Sequence, residues 1–135
     1  MQPKKSKYKK YYKPRQLPKA LTQTHKLKPI SSLTLVASQS AYLNNRQIEA
    51  ARQGIRRKIK RQGRLKIHLF TDIGISHKSS ASRMGKGKGK INHWVGGLSA
   101  GQTLFKLTGI PLKEGISALK CGANKLPLKL QIYKQ

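Results

Sequence analysis

At 135 residues the chain has room for one domain with a modest core, not for two. Thirty Lys and Arg face only Glu49, Asp72 and Glu114, a formal charge of +27 that opposes compaction by self-repulsion and favours a polyanionic partner. That inventory gives no local support to an acid/base pair of carboxylates, and a single cysteine, Cys121, excludes a disulfide framework or a cysteine-based zinc cluster. Basic residues run along the whole chain rather than one amphipathic face, which favours nucleic acid over a membrane surface. No apolar run approaches the roughly 20 residues that span a bilayer. The basic start lacks a hydrophobic region and a cleavage site, and Pro3, Pro14 and Pro18 interrupt it, so neither a secretory signal nor a transit helix is expected.

Residues 1–30 read as an arm with ten basic residues and no acidic one. Tyr8, Tyr11 and Tyr12 are interleaved with Lys7, Lys9, Lys10 and Lys13, while Lys4, Lys5 and Arg15 extend the charge. Such a segment can lay cations along an RNA backbone while tyrosines stack on unpaired bases. The alternative is a solvated, disordered arm, which composition alone allows. An arm ordered on RNA is the expectation, with one α+β domain over 31–135.

Residues 33–37 form a short apolar run with strand character. The clearest helix follows. Asn44 and Gln47 fit a capping box, and Ile48, Ala51, Ile55 and Ile59 repeat at three- and four-residue spacing as one apolar stripe. Arg46, Arg52, Arg56, Arg57, Lys60 and Arg61 fall largely on the remaining circumference, and Gly63 stands where a glycine stop is expected. A merely solvated helix face mixes signs, and here only Glu49 opposes the basic residues, so RNA contact is the expectation.

Leu65, Ile67 and Leu69 alternate with Lys66 and His68 as a half-buried strand. From Thr71 to about Lys90 no periodic element is evident, so a projecting loop over 71–92 is expected, and a loop that long in a small domain carries function or is disordered. Strands are expected again at 93–98 and 103–108, joined by a turn at Gly101. Pro111 suits the first position of a second helix, with Leu112, Ile116, Leu119 and Ala123 as its apolar face. Cys121 reads as a semi-buried residue of that helix. Pro127 blocks its continuation, and residues 128–133 read as a closing strand. Strands and helices mixed without a βαβ rhythm give an α+β class.

Within the long loop, Arg83, Met84, Gly85, Lys86, Gly87, Lys88, Gly89 and Lys90 alternate glycine with lysine. Glycine permits positive φ and close approach, lysine supplies compact charge, and Arg83 adds a planar fork suited to phosphates and bases. The pattern lacks the Gly-Lys-Ser/Thr ending of a nucleotide-binding loop and does not lead from a strand into a helix. A cationic finger for a polyanion is the reading. His25, His68, His77 and His93 show no ligand spacing with each other or with Cys121, so no metal, cofactor or small-molecule substrate is expected. A general nucleic-acid packaging protein would need repeated basic motifs or a long low-complexity tail. An enzyme acting on RNA would need carboxylate or metal clusters.

Several segments together resemble the universal large-subunit ribosomal protein L-sixteen family. They are Gln2-Pro3-Lys4-Lys5, Arg46-Gln47-Ile48-Glu49-Ala50-Ala51-Arg52, Arg83-Met84-Gly85-Lys86-Gly87-Lys88-Gly89, Trp94-Val95 and Lys125-Leu126-Pro127, in the family's order and near its spacing. The resemblance implies an α/β-hammerhead-like α+β domain on large-subunit rRNA, near 5S rRNA and the A-site tRNA, beside neighbouring ribosomal proteins. It also implies a glycine loop that reaches toward A- and P-site tRNA acceptor ends at the peptidyl transferase centre. Arg83 takes the loop-tip arginine position, one that some bacteria hydroxylate. The catalyst there is RNA, so the implied protein role is positioning rather than enzymatic.

Departures mark the chain. Thr71-Asp72-Ile73-Gly74 stands where the family usually has Pro-Asp-Lys-Pro, and residues 30–42 replace a glycine- and phenylalanine-bearing stretch. Gly96-Gly97-Leu98 replaces bulkier residues, with a looser strand as the expectation, and Trp94 reads as a core residue. Drift of this kind, with lysine enrichment, resembles an organelle-encoded member, mitochondrial before plastid, with the bacterial cytoplasm as the remaining alternative.

Overall fold

The structure is a computed structural model and describes residues 2–8, 10–20, 32–60 and 62–134. Among these, seven strands and two helices follow in the order β1 Ser32–Ala37, β2 Ala41–Asn44, α1 Asn45–Lys58, β3 Arg64–Ile67, β4 Ile73–His77, β5 Lys90–Leu98, β6 Thr103–Thr108, α2 Leu112–Ala123 and β7 Leu130–Lys134. They build two antiparallel sheets, one ordered β3-β6-β1-β7 and one ordered β2-β5-β4. The expected α+β class is what the chain adopts.

Strand β1 is buried at every residue, as befits an inner strand. Its Leu33, Leu35 and Ala37 join Phe105 and Leu107 of β6 under Ala118 and Leu119 of α2 and Ile48, Ala51, Ile55 and Ile59 of α1. The apolar stripe read from α1 is therefore its buried face. The start of α1 also behaves as expected: the Gln47 side-chain carbonyl accepts the Asn44 backbone N–H at 2.9 Å. Its end does not. The helix stops at Lys58 with Ile59 as cap, and the first left-handed residue is Lys60 at φ 47°, not Gly63. Gly63 serves the next turn, where an added Cβ would lie 2.5 Å from the Thr108 carbonyl oxygen.

Helix α2 keeps most of its expected face, with Leu119 buried and Ile116 and Ala123 packed against the core, but its start differs. Pro111 is the N-cap rather than the first helical residue, and Leu112 is 43% exposed. The buried residues are Gly115, Ala118, Leu119 and Gly122. A Cβ on Gly115 would meet Leu33 Cδ1 at 2.4 Å, and one on Gly122 would meet Ile55 Cγ1 at 2.5 Å. Small residues, not large ones, set how closely α2 lies on β1 and α1. A search for large apolar residues finds Leu119 on this face but misses the two glycines. Cys121 lies half-buried on α2, as expected.

The turn at Gly101 exists, with φ 84°, but β5 and β6 are not partners. It carries the chain from one sheet to the other, pinned by the Gly101 N–H to the Ala37 carbonyl at 2.8 Å and the Ala100 N–H to Ser40 Oγ at 2.9 Å. Two strands went unread. β2 is only four residues, and β4 lies within the stretch expected to lack regular structure. β4 pairs with β5 through a register shift at Ile75/Ser76, so the projecting segment is a hairpin whose tip spans 78–89 rather than a loop over 71–92.

Candidate nucleic-acid interface

Three regions carry the expected contact residues. On α1, Arg46, Arg57 and Lys58 are exposed, as is Lys60 just beyond the helix, while Arg52 and Arg56 are half-buried and engaged within the chain. Arg52 makes a two-pronged contact with Glu49 at 2.6 and 2.9 Å. The Arg52 hydrogen bond holds the Glu49 carboxyl below its usual pKa, with burial opposing it. Arg56 Nη1 donates to the Gly63 carbonyl at 3.4 Å, closing the turn after the helix. The free charge of this face therefore comes from Arg46, Arg57, Lys58 and Lys60. Arg61 lies outside the described residues.

At the hairpin tip, Arg83, Met84, Gly85, Lys86 and Gly87 are exposed, Met84 by 98%. Gly85, Lys86 and Gly87 have φ of 88°, 52° and 78°, three successive left-handed residues. A Cβ on Gly85 or Gly87 would meet nothing within 4 Å, so these glycines serve backbone conformation and not packing. Gly89 is the opposite: its added Cβ would lie 2.4 Å from the His77 carbonyl oxygen across the hairpin. The Lys78 ammonium, just past the end of β4, donates to the Gly85 carbonyl and braces the turn from across the hairpin. Sequence reading missed Lys78, because its role depends on the β4–β5 pairing. Lys90 opens β5, and Lys88 turns inward.

Lys88 faces the arm, which lies on the three-stranded sheet. Its ammonium sits 4.1 Å from the Tyr12 ring centroid and donates to the Tyr11 carbonyl. Tyr11 meets Trp94 edge-on at 6.0 Å, and Tyr8 meets Tyr11 edge-on at 6.5 Å. Farther along, the Tyr42 hydroxyl donates to the Gln16 carbonyl at 2.8 Å, with Lys13 5.4 Å from the Tyr42 ring. Trp94 accordingly lies outside the hydrophobic core and half-buried beside Tyr11, contrary to the expectation that it would be core. Gly96 and Gly97 do not loosen β5; they admit neighbours. A Cβ on Gly97 would sit 3.0 Å from Pro18, and one on Gly96 would sit 2.7 Å from the Phe70 carbonyl oxygen. With Tyr11 engaged, Tyr8 and Tyr12 stay 59% and 91% exposed, and Lys4, Lys5, Lys7, Lys10, Lys13 and Arg15 are exposed. Lys9, His25 and the rest of residues 21–31 lie outside the described residues.

Of the remaining histidines, His68 has a pKa held below its ordinary value, first by burial and then by Lys106 and Lys66. Among the described residues no group of three His, Cys, Asp or Glu is placed to hold a metal, and no helix is long and apolar enough to cross a membrane.

The family model described as "Ribosomal protein L16p/L10e" matches residues 3–133. A "Large ribosomal subunit protein uL16" from Erythrobacter litoralis is 42% identical over 132 residues, covering 98% of this chain and 90% of that relative. The protein of that name from Parvibaculum lavamentivorans is 40% identical over 129 residues, with 96% and 91% covered. That from Blochmanniella pennsylvanica is 39% identical over 129 residues, with 96% and 94% covered. An α+β domain with a capped basic helix, a left-handed glycine turn at a cationic hairpin tip and family similarity along nearly its full length belongs to the ribosomal protein L16p/L10e family.

Proposed function

We infer that the chain is a structural constituent of the large ribosomal subunit, bound to rRNA near the A site and the 5S rRNA region. Its hairpin tip reaches toward the acceptor ends of A- and P-site tRNA at the peptidyl transferase centre. One observation carries this reading. The Lys78 ammonium holds the Gly85 carbonyl at one side of the turn over Gly85, Lys86 and Gly87, yet among the described residues nothing lies within 4 Å of where a Cβ on either glycine would stand. A backbone held in that conformation with open space around it is arranged for an outside partner. Arg83 and Lys86 supply the charge for that partner, while α1 and the arm supply the cations that hold the domain on rRNA. The protein positions RNA and performs no bond chemistry of its own.

The arm contributes by a different route from the one its composition suggests. It is seated on its own sheet by Tyr11, Gln16 and Pro18, so its outward lysines and Tyr12 reach rRNA from a fixed platform. The family departures at Thr71-Asp72-Ile73-Gly74 and at 30–42, with the lysine enrichment, support a mitochondrial ribosome as the setting.

Sedimentation tests the reading. Stoichiometric co-migration with large subunits that survives moderate salt is the expected result. Recovery with DNA or in free fractions overturns it, and a reading frame in a nuclear or bacterial genome overturns the organelle-encoded origin.

A further inference from the structure

The outer side of β3, with the residues that follow it to Phe70, carries a cationic and aromatic row that α1, the arm and the hairpin tip do not use. Arg64, Lys66, His68 and Phe70 alternate with Leu65, Ile67 and Leu69. The second set packs on or within the core, so the first set faces outward and is exposed throughout. Phe70 ends the row and is 54% exposed. β3 is also an edge strand.

Lys66 stands directly opposite Lys106 of β6. Residues so paired have Cβ atoms about 5 Å apart, and like charges there are destabilising. Among the described residues the one ion pair is Arg52–Glu49 on α1, so no carboxylate offsets this lysine pair. The same two lysines help depress the His68 pKa. A folded domain that keeps two facing cations beside a third basic group has an anion as the natural complement. The exposed ring narrows the choice of anion. Phe70 follows Lys66 and His68 at two-residue spacing, and its chain neighbours Leu69 and Thr71 are buried, so along this row it offers a single stacking face. Phosphates at regular spacing with a splayed base between them fit both features.

We propose that the β3 edge, through Lys66, Lys106 and Phe70, is a separate RNA-binding surface that takes an unpaired stretch of RNA, with one base stacked on Phe70 and neighbouring phosphates on the two lysines. The proposal rests on the reading of the chain as an rRNA-binding protein and adds a surface for which that reading has no use. It also assigns a partner to Lys66, His68, Phe70 and Lys106, none of which the family motifs include.

The test uses full-length chains assembled into large subunits, with Phe70→Trp, Phe70→Leu and a Lys66→Gln/Lys106→Gln pair, and with Arg57→Glu/Lys58→Glu as control. Ultraviolet crosslinking should join the Phe70 peptide to a nucleotide in wild type and Phe70→Trp, and lose that product in Phe70→Leu. The lysine pair should lower the slope of log affinity against log salt by about 1.4, two single-strand phosphates at roughly 0.7 each. Phe70→Leu and the lysine pair both behaving as wild type, while the control fails to incorporate, overturns the proposal. A Phe70→Leu chain retained as well as wild type while the lysine pair alone weakens binding also overturns it, since an apolar contact with a neighbouring protein then explains the ring. A control that incorporates normally would instead sink the rRNA-anchoring reading itself.

Discussion

Helix α1 and the hairpin tip carry similar charge on opposite kinds of scaffold. α1 sets its cations on a rod whose Ile48, Ala51, Ile55 and Ile59 are at most 2% exposed. The tip sets Arg83 and Lys86 on a turn with Met84 98% exposed and its glycines in open space. Charge on a packed rod can act only where the domain sits, whereas charge on an empty turn costs the fold little and is free to serve a partner. Substitutions should therefore separate the two: in α1 they report on folding and assembly, and at the tip on translation.

The largest effect is expected inside the anchor. Ile55 is fully buried and lies against Gly122 of α2. Ile55→Ala should lose about 2–5 kcal/mol of stability from lost burial and a residual cavity. Urea midpoints in molar salt, where charge repulsion is screened over about 3 Å, would show it. Gly122→Val should be comparably damaging, because its Cβ has to displace Ile55. If either change left the midpoint within error, α1 and α2 would not be the rigid base that the comparison requires.

Next come the charges. Arg57→Glu with Lys58→Glu should abolish stoichiometric recovery in large subunits, since both side chains are exposed and unengaged. Arg83→Ala and Lys86→Ala should leave recovery near wild type and slow peptide synthesis several-fold. A shared assembly defect in both sets would erase the division between anchor and tip. Arg52→Ala is expected to be milder than Arg57→Glu, because Arg52 is already neutralised by Glu49.

Much of this division can be read in the sequence, and the failures have a common cause. The stripe of α1 announces itself because large apolar residues recur at helical spacing. The tip announces itself because glycine and lysine alternate without any apolar residue but Met84. What stays hidden depends on contacts distant in sequence. The buried face of α2 includes Gly115 and Gly122, whose importance lies in Leu33 and Ile55 on other elements. β4 carries Gly74 and Ser76 among its five residues and is defined by pairing with β5. The tyrosines of the arm look free for RNA until Trp94, 83 residues away from Tyr11, is placed beside one of them. Residue chemistry was legible; which partner used it was not.

A smaller effect should come from His68. Its pKa in the fold lies below 6.5, so the unfolded chain takes up the proton first. The stability it contributes is present above pH 6.5 and declines as the pH falls through that value, levelling off below the folded pKa. Because His68 is largely exposed, solvent screening keeps the decline modest. His68→Gln should flatten the dependence of the urea midpoint between pH 7 and 5. In assembled subunits the sign should reverse: phosphates at the β3 edge favour the imidazolium, so resistance to salt stripping should rise as the pH drops, and His68→Gln should remove that rise. A salt-stripping curve with no pH dependence in either chain would place His68 away from any phosphate.

The smallest change in stability is expected at Lys86, where it can be read most cleanly. Lys86 is a non-glycine residue at φ 52°, a conformation that costs an L-residue roughly 1 kcal/mol. Lys86→Gly relieves that cost but enlarges the unfolded ensemble, which costs about 0.4–1 kcal/mol in the other direction. The two nearly cancel, so the unfolding free energy should move by less than about 0.5 kcal/mol. Lys86→Ala removes the same charge without adding freedom to the turn. If charge alone matters at the tip, Lys86→Gly and Lys86→Ala should slow peptide synthesis equally. If the glycine variant is slower, the left-handed turn itself, held by Lys78 on one side and by a β-carbon at position 86 on the other, contributes to aiming Arg83. That outcome would move the tip part of the way toward the anchor: an open structure, but not a slack one.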